Sequence, residues 1–573
     1  MKSRRKSPGD TGTKYNRTQS QYNAFDQVKS SIDALNRNTT STFDNLGRLK
    51  QTTAPAISGQ ANLTTYTYDL AGNMKSLTDS VGETTTWTHD YRNRIVTESV
   101  VVDSLTLTRQ QQYWNNDNLK WVKNRDGKWT RSWQDFAYGA PGNYQTVGED
   151  WWTTGTSYDG YITYAYDDAV NNGLTVTDIT TLGPGTSAAA GQPNTGTPGA
   201  VLSQLHFDYD EMDRVSSVRD YLVGNSATSD SKAFNVAYTY DGIDRRFRTT
   251  FSLTNQVAGT PTTTLDSTNS YQWNPTVADR LDYVRQFTTS ASEGQFATKD
   301  RRVVRLEYFN SGELQKITRW EGAVPATNAL TTTYGLANGG WINGQIGAVT
   351  HAGLTGTVTS QGYTWTIDVN GRIATTTTPE GTKTYAYDTN DQLTGVTSTN
   401  AALQQQQTYD VNGNRSGAGY SVIDNRLRND GTYSYTYDKE GNRTKQTKLA
   451  DNSYEVYTWD RRNRLTSVMS FTSGNVKTQQ VKYEYDGLDR RIRRQVDATG
   501  NGLFTDVDDI KERFVYDTNL MNSSFSEVVQ VLDESHNFAV KHRFLNGPEW
   551  IRCSATRRLT AVFSGCCRTT SRR

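Results

Sequence analysis

One ten-residue pattern recurs along most of the chain and constrains its fold more than any other feature. A sharp copy is Tyr483-Glu-Tyr485-Asp486-Gly-Leu-Asp489-Arg490-Arg491-Ile492. Close copies start at Tyr66, Tyr238, Tyr385, Tyr435 and Tyr457, and looser ones at Phe43, Trp87, Phe207, Leu306, Trp365 and Gln407, twelve in all. Aromatics two apart share one face of an extended strand, because successive side chains alternate faces. The aspartate that follows, two free positions and then a residue tolerant of positive φ spell a type I turn. That last position is the test. It is Gly47, Gly72, Asn93, Asp213, Asp244, Gly312, Gly371, Asp391, Gly413, Gly441, Asn463 and Asp489. Gly, Asn and Asp reach the left-handed region at least cost, so the chain turns there. Asp69 with Gly72, Asp388 with Asp391, Asp438 with Gly441 and Asp486 with Asp489 are turn residues on this reading.

A four-residue loop from Asp486 to Asp489 places Tyr485 opposite Arg490 and Tyr483 opposite Ile492. The residue after the turn is Arg in seven of the twelve copies, which suits a guanidinium over the facing ring. Val215 and Val218, Leu281 and Val284, and Leu465 and Val468 stand three apart. On a regular strand they take opposite faces unless a bulge re-phases them. The expected fold is all-β: an array of antiparallel hairpins forming a continuous curved or spiral sheet. Successive repeat aspartates at 368, 388, 410, 438, 460 and 486 are unevenly spaced, which argues against propeller blades and solenoid rungs.

The array divides into residues 1–30, a disordered basic arm; 31–182, N-terminal repeats with a Trp-rich section; 183–200, a flexible Gly/Pro/Ala loop; 201–360, divergent repeats; 361–550, dense repeats; and 551–573, a disordered Arg/Cys tail. With 61 Lys and Arg against 60 Asp and Glu, nothing global attracts nucleic acid or anionic membrane. No apolar run is long enough for a membrane span, and the first twenty residues lack the apolar stretch of a signal peptide. All three cysteines fall in the tail, so packing and ladder bonds must hold the body.

Trp114, Trp121, Trp129 and Trp133 lie at spacings that adjacent strands bring side by side, either as core-filling aromatics or as stacking platforms for sugar rings. Asp497, Thr499, Asn501 and Asp508 follow the oxygen-ligand spacing of a calcium loop, with Gly502 at the sharp turn. The competing reading is a polar hairpin tip that holds no ion. The repeated aspartates each have a turn to hold, the five histidines are scattered, and no hydrolase or phosphate-binding motif occurs. No catalytic residue is assigned.

The aromatic-x-Tyr-Asp-x-x-Gly-Arg unit, repeated every 20 to 28 residues in the dense part, resembles the YD or Rhs repeat of bacterial Rhs and wall-associated proteins, toxin-complex shell subunits and teneurins. The resemblance covers about residues 43–550. It implies a sheet spiralling into a hollow shell, secreted or at the cell surface, that encloses a C-terminal toxin segment or serves adhesion. Arg543 to Pro548 resembles the junction into the family's core segment, and the abrupt change after Trp550 resembles a displaced or out-of-frame end. The expected function is a non-enzymatic shell. The alternatives are a carbohydrate-binding or wall-adhesion module and a hydrolase.

Overall fold

The computed structural model describes residues 18–544, except 34, 58, 136–144, 155–156, 167–175, 184–200, 224–230, 258–259, 278–279, 288–300, 311, 323–328, 337–345, 354–360, 369 and 518–526. Among the described residues there are 42 strands and no α-helix, and so no helix long and apolar enough to cross a membrane. Each strand pairs antiparallel with at least one of its neighbours in sequence. The first 29, from Gln19–Tyr22 to Gln405–Gln406, form one sheet, and the last eleven, from Tyr420–Ile423 to Ala539–Arg543, form another. Thr408–Tyr409 pairs with Arg415–Ser416 between them. The break is narrow, because the intervening Gln407 still donates its N–H to the Thr394 carbonyl at 2.8 Å. Short turns permit only this antiparallel meander, since parallel neighbours need long crossovers.

All twelve turn positions named from the sequence have positive φ, from +59° at Asp213 and Asn463 to +106° at Gly312. One region differs from expectation. The strands Gln19–Tyr22 and Val28–Ile32 form within the stretch read as a structureless arm, using turn chemistry without the aromatic signature. The divergent part holds the longest strands, Arg246–Val257 and Thr260–Trp273, of 12 and 14 residues. The loop at 184–200 and the tail from 551 lie outside the described residues, as does Arg543 to Pro548 beyond Phe544.

The register also differs. Asp486 N–H donates to the Arg490 carbonyl while Asp489 N–H donates to that of Asp486, so the loop closes over five residues. Tyr485 therefore faces Arg491, and after a one-residue bulge Tyr483 faces Arg494. The same bulge precedes the turn at Thr67/Tyr68, Asp208/Tyr209, Thr239/Tyr240 and Ala386/Tyr387. The extra residue on the returning strand re-phases it. Val215 and Val218 thereby reach one buried cluster, and Leu281 and Val284 another.

Turns of a meander alternate between the two edges of the sheet, and, with Gln405–Gln406 and Thr408–Tyr409 counted as one strand interrupted at Gln407, an even number of strands separates each repeat turn from the next. All twelve repeat turns consequently lie along one edge, here the repeat edge. Contacts remote in sequence show how the strip is coiled. On the opposite edge, the turn between strands 2 and 3 (Val28–Ile32 and Asn38–Phe43) meets the repeat turn between strands 27 and 28 (Gly381–Tyr387 and Leu393–Ser398). Arg37 binds both carboxylate oxygens of Asp391 at 2.8–2.9 Å. One revolution thus takes 25 strands. At ~4.8 Å between strands, the circumference is about 120 Å and the diameter about 40 Å. Sheets packed face to face fill the space between them at ~10 Å, so side chains from opposite walls of such a ring cannot meet. A near-circular turn of this circumference is wide enough to enclose a lumen.

Farther along, the second revolution slides over the first. The repeat turn at Asp438–Gly441 still meets an edge turn, through the Arg125 amide and Glu440. Arg462 reaches Glu149 inside a strand, and Asp517 reaches Tyr238 and Arg246 at the far end of theirs. The last strands lie face-on over strands 15–18 (Val201–Tyr209 to Arg246–Val257). Together they bury Phe207, Phe234, Phe251, Val515, Val529 and Leu532 in the larger apolar cluster.

Candidate functional site: the repeat turn and the seam

Each repeat turn that ends in arginine is a small relay of charge. Asp486 Oδ1 accepts from the N–H groups of Leu488 and Arg490 at 3.0 and 2.9 Å, and Oδ2 accepts from Arg490 Nε at 2.6 Å. The same set recurs at Asp44, Asp90, Asp210, Asp241, Asp368 and Asp460. The Arg94 guanidinium beside Asp90 holds its carboxyl below the usual carboxylate range. The arginine does not cover the ring facing it in its own hairpin, because the bulge moves that position. It lies instead over the ring of the next unit: Arg48 over Tyr68, Arg214 over Tyr240, Arg372 over Tyr387 and Arg464 over Tyr485, at 4.5–4.7 Å. The covered tyrosine donates its hydroxyl back to the residue after that arginine, as Tyr68 to the Leu49 carbonyl and Tyr485 to that of Leu465, at 2.8 and 2.7 Å. Where the turn ends in arginine, the guanidinium, ring and hydroxyl therefore fasten the hairpin to its successor. The fourth-position aspartate adds a link that sequence reasoning missed. Asp489 accepts from Arg464 at 2.8 Å, and Asp391 accepts from Arg372 at 2.5 Å.

Between revolutions, polar groups near the repeat turns reach the opposite edge. Asn412 and Asn425 both donate to Asp79 Oδ2, at 2.6 and 3.0 Å, and Arg428 binds both oxygens of Asp103 at 2.8 Å. Trp151 carries Arg461 at 3.9 Å from its ring centre and Arg462 at 5.4 Å. Two clefts of about 500 and 520 Å³ open along this seam. Asp33, Asp79, Asn390 and Asp391 line the first, and Arg372, Tyr387 and Tyr409 the second. Near the end of the seam the fit tightens. A Cβ on Gly487 would stand 2.8 Å from Ile179 Cγ2 and 3.1 Å from Ile162 Cγ2. Gly487→Val is expected to cost about 1–3 kcal/mol by forcing these strands apart, measured as a lower urea midpoint.

The sequence-predicted sites take the following places. Asp497 is buried, and its carboxylate accepts from the N–H groups of Gly500 and Gly502 at 2.7 and 2.6 Å. Thr499 and Asn501 instead donate to Asp506 at 2.9 and 2.7 Å, while Asp508 is exposed. Among the described residues, no three His, Cys, Asp or Glu side chains are grouped to hold a metal ion. Trp114, Trp121 and Trp129 are half-buried. Trp121 meets Trp129 edge-on at 4.7 Å, and Lys120 and Lys123 lie over the Trp114 and Trp129 rings at 4.5 and 5.1 Å, each taking up one ring face. Trp133 belongs to the strand Trp129–Asp135, with its side chain outside the described residues.

One cluster had no signal in the sequence. His206 Nδ1 lies 2.9 Å from Asp178 and Nε2 lies 3.4 Å from Asp208, which also binds Arg219. Hydrogen bonds to Asp178 and then Asp208 push the imidazole up to about 9 against its burial, and the His206 bond pulls Asp208 down. The ring is therefore charged at neutral pH in the folded chain. Its stabilisation is full below the unfolded value near 6.5 and is lost as pH rises through about 9. The difference in urea stability between the native chain and His206→Gln is expected to shrink across that window by on the order of 1 kcal/mol.

The sequence profile of the RHS Repeat family matches residues 368–403, the hairpins around Asp368 and Asp388. Among solved structures, the chain is similar to TcdB2-TccC3-TEV at 12% identity and a TM-score of 0.49, over 93% of this chain and 30% of that one. It is similar to the Photorhabdus luminescens Tc holotoxin pore at 12% identity and a TM-score of 0.37, over 92% of this chain and 27% of that one. The chain thus spans less than a third of either. An RHS repeat is matched at residues 368–403 within the dense part, and the turn geometry found there recurs at all twelve repeat positions.

Proposed function

We propose that the chain is the wall of a container: a non-enzymatic scaffold of a secreted or cell-surface protein, which encloses or presents an effector segment carried after the repeats. The observation that supports this reading is the size of the revolution. A ring of 25 strands is far wider than its side chains can fill, leaving space for a polypeptide. The carboxylates that recur most regularly are each occupied by a turn and an arginine, which leaves them no role as a catalytic pair.

The test is to fuse a small, protease-labile passenger after Trp550 and expose the product to a broad-specificity protease. Survival of the passenger under conditions that destroy it when free supports enclosure. Digestion at the free rate overturns it.

A further inference from the structure

The seam shows what a docked repeat edge looks like, and the first revolution carries a repeat edge that none of the described residues covers. At docked turns, the apolar tip residue is hidden by the neighbouring revolution. Val411 is 6% exposed, and Leu488 packs against the larger apolar cluster. At the free turns of the first revolution, tips on the same edge stand bare: Phe25, Leu46, Leu70, Tyr91, Met212 and Ile243 are 63–109% exposed. Isolated surface leucines are ordinary, but a file of them along one rim marks an interaction surface. At roughly 150–200 Å² per large side chain, the six present on the order of 800 Å², about one partner's share of a stable interface.

The second revolution ends in the complementary rim. Its non-repeat edge, equivalent to the one that receives docked turns in the first revolution, exposes Val476, Leu503 and Val507. One chain therefore holds both halves of the seam, each without a partner among the described residues and each continuous with an interface already formed. We propose that a second copy of this chain docks its non-repeat rim on the free repeat rim of the first, so that copies stack head to tail and extend the spiral. Such an interface is heterologous and does not close upon itself.

Sedimentation velocity over a concentration series tests this. The full chain is expected to grow in mass by whole protomers. Leu70→Asp with Tyr91→Asp, or Val476→Asp with Val507→Asp, should each give monomers when alone, with unchanged far-ultraviolet circular dichroism. An equimolar mixture of the two variants should give dimers and nothing larger, because each retains the rim that the other lacks. A native chain that stays monomeric at every concentration overturns the proposal and assigns the rim to a different partner. So do oligomers that survive both pairs of substitutions, or a mixture that forms no dimer.

Discussion

Replacing Asp517 by alanine is expected to lower the stability of the last revolution by about 3–5 kcal/mol, the cost of leaving a buried charge without its partner. Asp517 accepts from Arg246 Nη1 at 2.6 and 2.9 Å and from the Tyr238 hydroxyl at 2.8 Å. Arg246 is 7% exposed and lies between the Tyr238 and Tyr271 rings. Water cannot easily replace the carboxylate there. The three groups belong to strands some 270 residues apart, so the loss should appear where the second revolution lies on the first. Hydrogen exchange is expected to quicken in Ile510–Asp517 and Glu527–Asp533, while Asn38–Phe43 and Leu105–Tyr113 keep their protection. Uniform quickening through all these strands would mean that the contact does not fasten the revolutions locally.

Asp486→Ala is expected to cost a similar ~3–5 kcal/mol, read from equilibrium urea unfolding. This carboxylate is buried, caps its own turn and neutralises a buried Arg490. The same substitution at Asp69, on the uncovered rim and beside Asn73, removes a half-buried cap that neutralises no buried arginine and should shift the midpoint much less. Replacing Asp486 by leucine together with Arg490 by methionine should recover most of the loss, because an apolar pair of similar volume leaves no charge stranded. Equal losses at Asp69 and Asp486 would show that the turn alone, and not its burial at the seam, sets the cost.

The difference between these two aspartates also marks what the sequence could and could not disclose. Positive φ admits few residue types, so Gly72, Asn93 and Asp489 reported their turns from local chemistry alone. The same chemistry without the aromatic pair went unread at Asp33 to Asn36, at Asp79 to Gly82 and at Thr472 to Asn475, where the structure turns in the same way. The register was misjudged because closure over five residues adds a bulge that no side chain announces. The arginine accordingly met the next ring, not its own. The seam was out of reach. Arg37 with Asp391, or Arg513 with Asp220, pairs residues roughly 300 apart whose juxtaposition depends on the number of strands per revolution. A calcium-loop spacing was visible at Asp497, but that spacing does not distinguish an ion from the glycine N–H groups this carboxylate accepts.

The placement of every repeat turn on one edge restricts how such a chain can change its length. Deleting a single strand would invert the direction of all that follow, sending each later aspartate and arginine to the wrong side of the ribbon. Losing two adjacent strands preserves their side but shifts every later tip by two places against the coil beneath it. Viable insertions and deletions should therefore come as whole hairpins, and those beyond the first coil should come in pairs that restore the match on either side of the wall.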